Sequence, residues 1–317
     1  MVGSGLDAAP RPETRRATRS TRSVGPSPPP FHAYHPDVPD YETILYEEVD
    51  GVAWITLNRP DLHNAFNFEM QRELKDVWRS LRTNDDVRCA VLTGAGDKAF
   101  CVGIDRNEIM GDWTTSEEVN AASATGTGTA SGATPWHFDD PGENIGPKSN
   151  DLWKPVIAAV NGMACGGAFY MLGEVEFIIA AEHATFFDPH VTFGMTACFE
   201  SIHMLQKMPF GEIMRVALLG SSERMTAARA HQVGLVSEVV AGDGLRDAAA
   251  WAAGEIAKAP ATAIQGTVRA IWMARELSRL QALDAAKILI KLGSDPESIL
   301  EGQQAFASGE RIKPRRR

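Results

Sequence analysis

A chain of 317 residues, 44% of them apolar and 23% charged, is long enough to bury one large core or two small ones. Its formal net charge of −10 argues against a nucleic-acid surface, and no apolar run approaches the ~18–20 residues that span a bilayer. The cysteines at 89, 101, 165 and 198 show neither metal-ligand spacing nor a pairing framework, so free thiols in a reducing, cytoplasmic compartment are expected.

Residues 1–40 carry Arg11, Arg15, Arg16, Arg19 and Arg22, then Pro26, Pro28, Pro29 and Pro30. Without an apolar stretch this is no secretory signal. Its Arg and Ser/Thr content resembles a transit peptide, but Asp7, Glu13 and the prolines favour a disordered tail. A core over 41–245 follows. Asp50-Gly51 between the β-prone runs 44–49 and 52–58 predicts a hairpin. Met70, Leu74, Val77, Trp78 and Leu81 lie on one face of a helical period, with Asn67 as N-cap. A strand is predicted over 87–93, running into Gly94-Ala95-Gly96. The Ala/Ser/Thr/Gly-rich stretch 120–135 cannot build a core and marks a flexible insertion over about 112–150.

The run from Lys154 to Ala168 reads as a buried strand, a glycine-rich turn and a helix start. Gly166, Gly167 and Ala168 admit close approach of another backbone or a ligand. Free N–H groups there suit negative charge, so an oxyanion is a candidate occupant. Strands are expected over 175–181 and 184–187. Helices are expected over 262–277, 280–292 and 296–306, inside a helical subdomain spanning 246–310, and a solvated basic tail closes the chain at 311–317. Strands alternating with helices and then a helical tail indicate an α/β fold.

Thr56-Leu57-Asn58-Arg59-Pro60, Asn64-Ala65-Phe66, the strand ending at Gly96, Ala99-Phe100-Cys101-Val102-Gly103-Ile104-Asp105 and the Lys154–Ala168 run together resemble the crotonase (enoyl-CoA hydratase/isomerase) superfamily, from about Glu42 to Phe306. The resemblance implies a ββα spiral core whose C-terminal helices assemble a homotrimer or dimer of trimers. It implies an acyl-CoA substrate, no cofactor beyond the coenzyme A that the substrate carries, and no metal. It places two oxyanion-hole amides on Ile104 and Gly167, with the Ile104 side chain narrowing the acyl pocket. Coenzyme A is expected against Arg59, His63, Val102, Gly103 and Ile104, with Lys287 contributing from this or a neighbouring subunit.

The hydratase glutamates of that family fall here on Tyr170 and His190, so the two-glutamate addition of water cannot run as in those relatives. An imidazole titrating near pH ~6.5 is a natural replacement acid/base, with Asp188 or Glu200 orienting it or acting beside it. Tyr170 is expected to donate to developing charge or to serve as core. Glu200 reads equally well as a solvent-facing charge at a helix start. His137 reads as a loop residue and His203 as structural, and Asp139, Asp140 and Glu143 form an acidic cluster without ligand histidines. Three readings follow: an enolate-stabilising hydratase/isomerase-type enzyme, a C–C hydrolase or decarboxylase acting on a β-keto or malonyl-type thioester, or a non-catalytic acyl-CoA-binding protein.

Overall fold

Asp50 and Gly51 both take positive φ, 51° and 77°, as a tight type I′ hairpin turn requires. They join β1 (Ile44–Val49) to β2 (Val52–Leu57) as an antiparallel pair. The structure, a computed structural model, describes residues 40–109, 140–309 and 313–316. The 1–39 tail and most of the Ala/Ser/Thr/Gly-rich insertion, with His137 and Asp139, lie outside the described residues.

Helix α1 (Phe68–Leu81) starts where Asn67 accepts the Met70 N–H, and it buries Met70, Leu74, Val77, Trp78 and Leu81. Three strand pairs then repeat one pattern. Strands β3 (Cys89–Gly94), β5 (Val156–Val160) and β7 (Phe177–Ala181) run parallel in a six-stranded sheet, ordered β1-β2-β3-β5-β7-β10. Their immediate successors β4 (Ala99–Cys101), β6 (Met163–Cys165) and β8 (Thr185–Phe187) run parallel in a four-stranded sheet, ordered β4-β6-β8-β9. Strands β9 (Met225–Thr226) and β10 (Glu238–Val240) complete the two sheets. Each turn of the chain thus lays one strand on each sheet, the expected ββα spiral.

Between the strands lie α2 (Arg106–Ile109), α3 (Gly142–Ile145), α4 (Ala168–Glu174), α5 (Phe199–Leu205), α6 (Phe210–Leu219) and α7 (Ala227–Gln232). Helices α8 (Leu245–Ala257), α9 (Ala261–Glu276), α10 (Arg279–Gly293) and α11 (Pro296–Ala307) follow.

The large sheet is buried on both faces, which is why its strands read as continuous apolar runs. Ala53, Ile55, Leu57, Ala90, Leu92, Val156, Ala158 and Val160 point into the core that α1 and α4 share. Val52, Trp54, Cys89, Val91, Ile157 and Ala159 alternate with them and pack beneath Ala248, Ala249, Ala253 and Ala257 of α8. Helix α8 therefore belongs to the core, and the C-terminal helical subdomain begins after it rather than at 246. The small alanine face is the reason: it seats the helix closely on the sheet.

The segment 140–150 also departs from its expected place in the flexible insertion. Trp78 Nε1 donates to Ile145 O at 2.9 Å, and Asn150, fully buried, donates to the carbonyls of Glu143, Asn144 and Gly146. Glu174 accepts the N–H groups of Lys148 and Ser149 at 2.7 and 2.8 Å. Trp78 and Glu174 lie far away in sequence, so composition alone did not show them. The basic tail is likewise not simply solvated: Arg315 pairs with Glu238 and stacks on Trp251, 4.6 Å from the ring centre.

Two asparagines pin the loop from β3 to β4. Buried Asn64 donates to Ala95 O and Ala99 O and accepts the Arg59 N–H. Asn161 accepts the Gly94 N–H and donates to Gly96 O. Gly94 leaves no room for a side chain: a Cβ there would lie 2.6 Å from Phe100 O and 2.7 Å from Ala99 O. Gly94→Ala is expected to destabilise the fold by about 1–3 kcal/mol, the usual cost of overpacking; an unchanged denaturant midpoint would contradict this packing.

Candidate active site

The site forms where the β4 exit meets the β6 exit. Phe66 makes an isolated parallel bridge with Ile104: Phe66 N donates to Gly103 O at 2.9 Å and Asp105 N donates to Phe66 O at 2.8 Å. In that register the N–H of Ile104 faces away from Phe66. Gly103 turns at φ +89°, and a Cβ on it would stand 2.9 Å from the Gly167 nitrogen. A Cβ on Gly167 would stand 3.3 Å from Gly103 Cα and 2.7 Å from the Phe66 ring. The two main chains are in contact, which only glycine at both positions permits. Neither the Ile104 N–H nor the Gly167 N–H has an acceptor among the described residues, leaving two unspent donors beside that contact.

Gly166, at φ +53°, turns the chain and donates its N–H to Phe187 O. The end of β8 is thereby drawn over the same turn, and His190 Cε1 comes within 3.7 Å of a Cβ position on Gly166. His190 opens a short 3₁₀ turn. Its Nδ1 lies 2.5 Å from Asp188 Oδ1 and its Nε2 lies 3.4 Å from Glu200 Oε1. Asp188 is fully buried, and its Oδ2 has no partner among the described residues. Donation of the Nδ1–H to Asp188 raises the His190 imidazole above its ordinary value, and burial only partly opposes it. Glu200 is 5% exposed, and burial lifts its carboxyl above the usual range against the pull of His190. It is therefore not the solvent-facing charge that the helix-start reading allows: α5 turns it inward against the imidazole.

Asp188, His190 and Glu200 bring ligand atoms within 4.8 Å of one another. The two carboxylates flank opposite nitrogens of a single ring, however, which orients and charges an imidazole rather than ligating one ion.

Tyr170 is buried, and its hydroxyl donates to Asp140 Oδ2 at 3.0 Å. Burial, then the Glu200 and Asp140 carboxylates, raise the phenol far above its ordinary value. Burial raises Asp140 as well. The His203 ring stands edge-on to Tyr170 at 5.7 Å. Ile104, Gly167, Tyr170, Asp188, His190 and Glu200 are thus brought together from four separate stretches of chain.

The expected coenzyme A contacts fare differently. Arg59 is spent: its guanidinium donates to Ala65 O and pairs with Asp105 at 2.8 Å, with only 17% of the side chain exposed. It braces the turn that presents Phe66. His63 is exposed beside that turn at φ 53°. Val102 is half-buried next to Gly103. Lys287 pairs with Asp284 on the exposed face of α10, and no contact joins it to these residues. Sequence reasoning missed Arg106, stacked 4.8 Å from the Phe193 ring centre, and Arg224, 4.6 Å from that of Phe187. Neither sits in a motif; only the fold brings them near β8 and the turn after it. Asp140 was seen only as part of an acidic cluster.

A ββα spiral with two free amides at a glycine–glycine contact defines a crotonase-type α/β protein. The sequence model of the enoyl-CoA hydratase/isomerase family matches residues 47–127 and 138–315, and the chain belongs to that family. It is 32% identical over 272 residues to the (E)-benzylidenesuccinyl-CoA hydratase of Thauera aromatica, covering 86% of this chain and 97% of that one. It is 32% identical over 267 residues to the 1,2-epoxyphenylacetyl-CoA isomerase of Escherichia coli strain K12, covering 84% and 95%. Among solved structures, an enoyl-CoA hydratase/isomerase from Mycobacterium paratuberculosis superposes with a TM-score of 0.71 at 32% identity, over 85% of this chain and 96% of that one. No described helix is long and apolar enough to cross a membrane.

Asp188→Asn is expected to lower the His190 pKa, read by NMR titration of the imidazole. Folding raises this group above 6.5, so its contribution to stability is complete below that value and fades as pH rises through the folded pKa. The variant should lose that pH-dependent part; an unmoved titration would show that Asp188 does not set it.

Proposed function

We propose that this protein is an enzyme that binds an acyl-CoA thioester and stabilises its enolate with the N–H groups of Ile104 and Gly167. The observation carrying this reading is the pair of unpartnered amides at the Gly103–Gly167 contact. Charge moving onto the thioester oxygen is met there by two fixed donors, and losing one such donor typically costs about 2.7–4 kcal/mol of transition-state stabilisation. Because the donors are main-chain, the bulk of Ile104 does not weaken them.

His190 takes and returns the proton at the acyl chain. Asp188 fixes its Nδ1–H and leaves Nε2 as the working nitrogen, the geometry a general base requires. Glu200 stands on the Nε2 side, where it holds the imidazolium by charge or shares its proton. Because Tyr170 and His190 occupy the two glutamate positions of the hydratases, water addition to a small enoyl thioester is not the favoured reaction. Enolate chemistry on an acyl group larger or more branched than crotonyl fits better, and the two relatives are named for such thioesters. Assembly as a homotrimer or dimer of trimers is part of the proposal. Its support is the apolar surface that Ile271, Leu280, Ile288, Leu292 and Phe306 leave exposed on α9 to α11.

Purified protein is expected to exchange the α-protons of butyryl-CoA in D2O, with exchange largely lost in His190→Ala. Ile104→Pro, which deletes one amide, should slow exchange about 10²–10³-fold in a variant whose circular dichroism is unchanged. Hydration of crotonyl-CoA at about 10 per second or faster would refute the departure from hydratase chemistry. Light scattering should return three or six times the chain mass; a monomer would refute the assembly.

A further inference from the structure

From sequence, Tyr170 is expected as a donor toward developing charge or as a core residue. Its proton is committed elsewhere: the hydroxyl donates to Asp140 Oδ2 at 3.0 Å. Glu200 lies three residues before His203 on one face of α5, the face whose His203 ring meets Tyr170 at 5.7 Å, and its carboxylate raises the phenol. Glu200 in turn lies 3.4 Å from His190 Nε2. The side chains therefore line up as His190, Glu200, Tyr170 and Asp140. Tyr170 and Glu200 are each 5% exposed, whereas Asp140 at the far end is only half-buried. Asp140 is itself held: its Oδ1 accepts the Gly142 N–H at 2.7 Å, which turns Oδ2 to the phenol. Gly142 lies flush against the Tyr170 ring, where a Cβ would stand 2.5 Å from Cδ1.

We propose that Glu200, Tyr170 and Asp140 form a proton relay that connects His190 with solvent. The inference rests on the enolate reading above, in which His190 removes a proton from the acyl chain. Outward transfer begins as the His190 Nε2–H bond breaks and an O–H bond forms on Glu200. The Glu200 proton then moves to Tyr170 Oη while the phenol's own proton passes to Asp140 Oδ2. Asp140 finally releases a proton to water. One bond to hydrogen forms for each that breaks, and no electron leaves the chain of groups. Inward transfer runs the same steps in reverse. The ground-state hydrogen bond already points the phenol outward, with a lone pair of its oxygen free for Glu200. Burial raises Asp140 and Glu200, so each takes a proton more readily than a surface carboxylate. The titratable groups facing the phenol and Asp140 among the described residues are Glu200 and His203, both on α5.

The test follows the fate of the abstracted atom. Butenoyl-CoA with its double bond between C3 and C4, and deuterium at C2, is offered to the full chain in ordinary water. An enolate-forming enzyme shifts the double bond to C2–C3 and places a hydron on C4. With the relay intact, the abstracted deuterium exchanges with solvent, and product carrying deuterium at C4 is the minor species. In Tyr170→Phe and in Asp140→Asn the deuterium has no exit, and product labelled at C4 becomes the major species. Asp140→Glu restores the washout. A merely structural role for either residue lowers turnover without changing this ratio. Equal washout in the wild type and both variants overturns the relay alone. A wild-type protein that leaves the C2 deuterium untouched, and that fails to exchange butyryl-CoA, overturns the enolate reading and the relay with it.

Discussion

Two stretches of main chain, one leaving β4 and one leaving β6, touch at Gly103 and Gly167, and the rest of the site is arranged around that contact. Side chains at these positions would force the two stretches apart, because a single Cβ on Gly103 already falls 2.9 Å from the Gly167 nitrogen. At this contact the N–H groups of Ile104 and Gly167 have no acceptor among the described residues, so they remain available to a ligand. The cost of unpaired donors is met by rigidity elsewhere. Asn64 and Asn161 saturate the carbonyls of the β3–β4 loop, and Phe66 bridges Gly103 and Asp105 from the opposite side. Arg59, tied to Ala65 and Asp105, holds Phe66 in place. What resembles a string of conserved-looking signature residues is a set of braces on one turn.

Around this backbone frame the electrostatics are acid-rich. Asp188, Glu200 and Asp140 converge on one imidazole and one phenol, and all three lie at least partly out of water. Three ionised carboxylates cannot share so small a buried volume without a proton or a cation among them. The system's response is visible in its directions: His190 is raised by Asp188, while Glu200 and Asp140 are raised by burial. Protons are therefore held on this cluster more tightly than on isolated side chains. A site that stores protons next to two empty amide donors suits chemistry in which a carbon acid loses and regains one.

The frame was legible in the sequence because its determinants are local. A hairpin needs Asp50-Gly51, a helix needs its Asn67 cap and apolar stripe, and the glycines at 166 and 167 announce a close approach. His190 and Asp188 were legible for the same reason, being two residues apart in a turn. Glu200 was visible as a residue but not as a buried one, since only the path of α5 decides which way it points. Asp140 and the ordered segment that follows it were hidden, because Trp78 and Glu174 hold that segment through contacts remote in sequence. Arg59 was legible as part of a motif, but its pairing with Asp105, 46 residues on, was not. Helix α8 was misassigned to the C-terminal subdomain because an alanine-rich helix gives a weak periodic signal while still packing well.

The division of labour within the fold explains how acid/base residues can change without disturbing it. The amides of Ile104 and Gly167 are fixed by main-chain geometry and are indifferent to the side chains at 170 and 190. Those positions sit on the first turn of α4 and on the turn after β8, where one face meets the site and the other meets the core. A glutamate carries its own charge to such a position, but a tyrosine or a histidine does not hold a proton in a useful orientation unaided. Each of the two residues has a carboxylate behind it: Asp188 behind His190 and Asp140 behind Tyr170. The first is supplied two residues away and the second from a distant loop, which is the pattern expected if the constraint is on the pair and not on either residue alone. Glu200 enters from α5 on the Nε2 side of His190. The spiral therefore sets its backbone donors and its proton-handling side chains through separate parts of the chain.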